Sequence, residues 1–171
     1  MPKANHRIAA LFFDLGDTIM IEESEIKDVK ETTRRADLIP GIGALLRDLK
    51  RQGYPLAIVA DSKAKTPVNV LRQHNLLALF DTLAISEVVG VSKPDPAMFH
   101  AALNDLKIPE EAYPRVVMVG NNLERDILGA NRVGILSVFF HWNERRRTQP
   151  LTEEEMPDYT VHSVEELRAT L

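Results

Sequence analysis

Three apolar runs in this chain end on polar residues that could do chemistry together, and a lysine stands apart from them. Asp14 closes the run of residues 8–13, Asp61 and Ser62 close that of 54–60, and Asn121 and Asn122 close that of 115–120, while Lys93 sits just before Pro94. A carboxylate, a hydroxyl, a lysine and neutral oxygen donors suit phosphoryl transfer through an aspartyl intermediate. Taken singly, Asp14 reads equally well as a strand-end residue capping the turn Leu15-Gly16-Asp17-Thr18. The chemistry therefore depends on whether the fold gathers these positions.

The elements between them say that it does. Residues 8–13 are apolar without interruption, the signature of a strand buried on both faces of a parallel sheet. Ile42, Leu45, Leu46 and Leu49 mark one face of a helix that ends near Gly53. A strand over 54–60 follows, then a helix capped by Thr66 ahead of Pro67 and ending near Asn75. Residues 82–86 predict a strand, and Pro94 opens a helix with Phe99, Ala102, Leu103 and Leu106 on one face. Residues 115–120 form a strand, followed by a helix burying Leu123, Ile127 and Ala130. Strands over 135–140 and 159–161 complete the pattern, with Ser163 and Glu166 as a capping box for the last helix. Such alternation predicts an α/β fold: a three-layer, Rossmann-like parallel sheet of five to six strands with helices on both faces. The polar strand ends then share one edge.

Two stretches are less regular. Residues 18–37, rich in Glu and Lys, fit either a solvated helix over 22–35 or a charged flap over the strand ends. In residues 141–158, Arg145-Arg146-Arg147 and Glu153-Glu154-Glu155 read as solvated charges, and Trp142 as an anchor packed on the sheet. The Gly41-Ile42-Gly43 pair lacks the strand and third glycine of a dinucleotide fingerprint and reads as a helix start.

Composition narrows the classes. At 171 residues, 44% hydrophobic and 27% charged, the chain fits one domain and neither a disordered nor a membrane class. A net charge of −4 argues against nucleic-acid binding. With no Cys, disulfides and thiolate metal sites are excluded, and the five His residues lack zinc-site spacing. The first residues show no leader-cleavage pattern, so a cytoplasmic protein without a membrane partner is expected.

Nearly from end to end, the chain resembles the haloacid-dehalogenase-like (HAD) hydrolase superfamily. Four pieces carry the likeness: F-F-D-L-G-D-T (12–18), L-A-I-V-A-D-S (56–62), V-G-V-S-K-P-D-P-A-M-F (89–99) and V-M-V-G-N-N-L-E-R-D-I-L-G-A (117–130). The resemblance implies that Asp14 is the nucleophile and that Lys93 holds the phosphate and offsets charge around Asp14. It implies phosphate binding by Asp61, Ser62 and Lys93, and a Mg²⁺ on Asp14, the Gly16 carbonyl, Asn121 and Asp126. Asp126, one turn into its helix, has orientation of the site by hydrogen bonds as an alternative role.

Three departures stand out. Gly16 occupies the place of a second Asp that serves as general acid and base in many relatives, with Asp17 one residue further on. Ala60 stands where a hydroxyl is usual, and Asn121 where a carboxylate is usual. There is also no room for a sizeable cap domain between the motifs, so residues 1–171 read as a single catalytic domain. Either residues 18–37 or a second copy in a homo-oligomer would cover the open site. The expected activity is that of a Mg²⁺-dependent phosphomonoesterase working through a phospho-aspartyl intermediate on a small or macromolecular phosphorylated substrate. A catalytically impaired phosphate-binding protein and a dehalogenase-type hydrolase are the alternatives.

Overall fold

The computed structural model describes residues 7–171; residues 1–6, where a leader pattern was sought, lie outside them. Strand β1 (Ala10–Phe13) is fully buried. The chain then makes one turn of 3₁₀ helix and a small antiparallel hairpin, β2 (Ile26–Lys27) and β3 (Thr33–Arg35), before helix α1 (Ile42–Arg51). Strand β4 (Leu56–Ala60), helix α2 (Lys65–Gln73), strand β5 (Thr82–Ile85) and the short α3 (Ser86–Val89) follow. Next come α4 (Pro96–Asp105), β6 (Val116–Gly120), a π turn over Leu123–Ile127 running into α5 (Leu128–Val133), β7 (Leu136–Phe140), β8 (Tyr159–Val161) and α6 (Val164–Thr170).

The six-stranded sheet has the order β5-β4-β1-β6-β7-β8, and every pairing is parallel. Period-two alternation along β1 explains its unbroken apolar run. Leu11 and Phe13 face the core shared with α1, α2 and α6, while Ala10 and Phe12 face the core shared with α4 and α5. After β1 the chain builds outward through β4 and β5, then crosses back to place β6 on the other side of β1. That reversal puts a crevice at the carboxyl end of β1. Among the described residues, no helix is long and apolar enough to cross a membrane.

Several elements differ from the sequence reading for local reasons. Residues 22–35 form a 3₁₀ turn and the hairpin rather than a helix, because the Asp28 carboxylate accepts from the Lys30 and Thr32 amides and so makes a tight turn. Thr66 lies inside the first turn of α2 and does not cap it; its hydroxyl accepts instead from the Thr33 amide of the hairpin. Helix α4 starts at Pro96, not Pro94, since Asp95 is the residue whose carboxylate meets a free amide, that of Ala97. Ser163 does cap α6 through the Glu166 amide, but the Glu166 carboxylate reaches the His162 amide rather than closing the box on Ser163.

Candidate active site

The carboxyl edge of the sheet holds a cleft of about 240 Å³ whose lining includes Asp14, Gly16, Asp61, Ser62, Lys93 and Asp126. Asp14 leaves β1 with its amide still donating to the Val119 carbonyl of β6, so the sheet fixes its backbone. Its side chain is 15% exposed, and one carboxylate oxygen accepts from the Lys93 ammonium at 2.9 Å. Lys93 is buried. Its Nζ donates to Asp14, to Asp126 at 2.6 Å and to the Val59 carbonyl at 2.8 Å, which uses all the directions an ammonium offers. Burial disfavours the charged lysine, but Asp126, Asp14 and Asp61 together raise its pKa well above the ordinary value.

Asp126 is wholly buried. One of its oxygens takes Lys93 and the other takes the Asn122 amide, contacts that hold the ammonium and the loop after β6 in place. Burial and then the Asp14 charge push its carboxyl up, to about 7, against the pull of Lys93. The close fit depends on Gly120, because any Cβ there would collide with this carboxylate. The π turn carries Asp126 inward, and Asn122 caps it by accepting from the Glu124 amide.

Asp61 is brought to the cleft, but its carboxylate accepts from the Lys93 amide at 2.9 Å and pairs with Arg125 at 3.4 Å. The carboxylate fixes the loop that presents Lys93 and has no donor for a phosphate, whereas the Asp61 backbone N–H has no hydrogen-bond partner among the described residues. Ser62 lines the cleft, with its hydroxyl donating to the Lys63 carbonyl. Asn121 is buried, and neither polar atom of its amide has a hydrogen-bond partner among the described residues. The Gly16 carbonyl likewise accepts no hydrogen bond among the described residues. Asp14 and Gly16 line the cleft, as does Asn122, while Asn121 is not among its lining residues. An Asp14 carboxylate oxygen, a free backbone carbonyl and an orphaned amide oxygen are the hard donors that suit Mg²⁺. No cluster of three or more His, Asp or Glu residues suited to a metal occurs among the described residues.

The turn after β1 carries groups that the sequence reading missed. Gly16 does not have a positive φ; Asp17 does, at 52°. Asp17 is fully buried and turned from the cleft. It accepts from the Glu22 amide and pairs with Arg145 at 3.2 Å and Arg146 at 3.7 Å, while its carbonyl accepts from the Trp142 indole. The arginine run is therefore not a solvated face: Arg145 and Arg146 reach back to the turn, and Arg147 grips Glu155 with both Nη atoms. Trp142 is an anchor, packed on Phe140 as well as tied to Asp17. Glu22 fills the space beside Gly16, where a Cβ would stand 2.9 Å from its Cγ and closer to its carboxylate. No local spacing signals these contacts, since Glu22 and Arg146 are 124 residues apart.

A model of the haloacid dehalogenase-like hydrolases matches residues 9–134. The chain belongs to this family. A glyceraldehyde 3-phosphate phosphatase of Methanopyrus kandleri is 32% identical over 129 residues, covering 75% of this chain and 54% of that protein. The pyrimidine 5′-nucleotidase YjjG of Escherichia coli is 35% identical over 133 residues, covering 78% of this chain and 56% of that protein. The chain thus spans about half the length of these relatives. A solved structure of YfnB, a HAD-hydrolase of Bacillus subtilis bound to magnesium, superposes with a TM-score of 0.77 at 19% identity, covering 96% of this chain and 99% of that one. That likeness establishes the HAD fold.

Proposed function

We propose that this protein is a Mg²⁺-dependent phosphomonoesterase, a cytoplasmic single-domain enzyme without a sizeable cap, whose nucleophile is Asp14. The observation that carries this reading is the Lys93–Asp14 pair at 2.9 Å in a cleft at the sheet's switch point. Lys93 holds one oxygen of Asp14 and leaves the other to attack the phosphorus of a bound ester. The new Asp14 O–P bond forms as the ester P–O bond breaks, and water then cleaves the acyl phosphate. Asp14, the Gly16 carbonyl and Asn121 would hold Mg²⁺, which when bound neutralises charge on the phosphoryl oxygens. Asp126 and Asp61 act through Lys93, the first on its ammonium and the second on its backbone. Ser62 would turn its hydroxyl from the Lys63 carbonyl to the phosphate.

The size and polarity of the cleft favour a small phosphorylated substrate, and the phosphatase and nucleotidase names among the relatives support the same class. Charged lining residues such as Glu22, Glu25, Lys27 and Lys63 do not make the dry pocket that halide release would want. The test is phosphate release from a panel of phosphomonoesters with and without Mg²⁺. Wild type should turn over at least one ester only with the metal, and Asp14→Asn should abolish turnover with its melting temperature nearly unchanged. Full activity in Asp14→Asn overturns the assignment. Phosphate binding without turnover would instead support the non-catalytic alternative.

A further inference from the structure

In a reaction begun by Asp14, negative charge develops on the departing ester oxygen, and position 16 has no side chain with which to meet it. Asp17 is turned into the protein, and Lys93 is spent on Asp14, Asp126 and Val59. Of the other cations lining the cleft, Arg125 is 52% exposed on Asp61, Lys63 is 49% exposed beside Glu87 and Lys27 is 43% exposed beside Glu31. Arg146 differs from them. It is the one member of the arginine run that lines the cleft, and its Nη2 donates at 2.7 Å to the same Glu22 oxygen that fills the space beside Gly16. Its Nη1 lies 3.7 Å from Asp17, and most of its N–H groups have no hydrogen-bond partner among the described residues.

We infer that Arg146 is a catalytic residue that receives the charge of the departing oxygen, with Glu22 and Asp17 as the residues that position it. This rests on the phosphomonoesterase reading. The ester P–O bond breaks with its electron pair passing to the ester oxygen, which accepts a hydrogen bond from the Arg146 guanidinium. A guanidinium does not give up its proton at ordinary pH. The proton that completes the alcohol therefore comes from water, and the hydroxide left behind is taken up by solvent. Arg146 thus offsets charge without acting as an acid, a role preorganised donors fill well in a partly enclosed site. Arg145, which ties the same loop to Asp17, Glu22 and Glu23, does not line the cleft and serves as the structural control.

The test follows turnover across aryl phosphates of graded leaving-group pKa. For Arg146→Gln, kcat should fall about 10²-fold on the poorest leaving group, the usual cost of losing one such donor. It should fall only about threefold on 4-nitrophenyl phosphate, so the dependence on leaving group steepens. Arg146→Met should behave alike, which keeps the test in force if one neutral variant fails to fold. Arg146→Lys should be intermediate. Glu22→Gln combined with Arg146→Gln should stay steep, showing that the lost cation matters rather than an unpaired Glu22. Arg145→Gln should shift all rates alike or not at all. A wild-type slope in a folded neutral Arg146 variant overturns the inference and leaves the phosphatase reading intact. If wild type releases phosphate from no member of any panel, that reading falls and takes this one with it.

Discussion

Lys93 has the densest set of interactions in the cleft. Its ammonium joins two carboxylates that would otherwise repel each other, one of them wholly buried, and its exposure is only 2%. Lys93→Met keeps the apolar stem of the side chain and removes the charged end. Asp126 is then left buried without its cation, a change that typically costs about 3–5 kcal/mol. Urea unfolding at neutral pH should show a loss of this size, and adding Asp126→Asn should return part of it by removing the stranded charge. Unchanged stability in Lys93→Met would mean that Asp126 is already neutral in the wild type. Residue types at this scale were legible in sequence: Asp14 and Lys93 lie side by side as expected. Their partners were not. That the Asp61 carboxylate holds the Lys93 backbone was not legible, because a carboxylate's hydrogen bonds depend on which amides the fold turns toward it.

At the scale of elements, the strands were the readable part. Residues 116–120 and 56–60 are apolar throughout because both faces of a parallel sheet are covered, and that pattern is local. The hairpin β2–β3 was not readable because its partner is a helix some thirty residues on. The Thr33 amide donates to the Thr66 hydroxyl, and Asn69 donates to the Thr33 carbonyl. This tether sets Glu25, Lys27, Glu31 and Thr33 in the cleft wall alongside Asp14, the covering position expected of residues 18–37 as a flap. Thr66→Val removes the acceptor and leaves a buried amide unsatisfied, at a cost of about 1–3 kcal/mol. Hydrogen exchange should quicken at residues 26–35 while β1 and β6 stay protected. Equal protection of the hairpin in both proteins would show that the tether does not hold it.

Across the whole molecule, the edge of the sheet was predictable while the closure over it was not. Alternating strands and helices imply that the loops after β1, β4 and β6 meet, and they do. That the loop after β7 returns to the turn after β1 follows from nothing periodic. It depends on Trp142 and two arginines meeting the buried Asp17, contacts spanning 125 to 129 residues. Three adjacent arginines are ordinarily a solvated face; here Arg145 and Arg146 find carboxylates because the sheet order brings β7 within two strands of β1, and Arg147 finds Glu155 within its own loop.

Beside the Trp142 anchor, that closure is held by charge, and its charged members differ in their access to water. The Arg145 and Arg146 side chains are 36% and 31% exposed, Glu22 is 22% exposed and Glu23 is 74% exposed, whereas Asp17 is sealed off. Dissolved ions shorten the reach of such attractions from about 10 Å at 0.1 M to about 3 Å at 1 M, and they act first on charges they can approach. Brine should therefore loosen the Arg146 arm to Glu22 while the link to Asp17 persists, leaving Arg146 poorly aimed in a protein that is still folded. Raising sodium chloride to 1 M should slow poor leaving groups more than 4-nitrophenyl phosphate, with circular dichroism unchanged; an equal slowing of both would show that the aim of Arg146 does not depend on its exposed partners. Among its working conditions, ionic strength would then act as a selector of substrate.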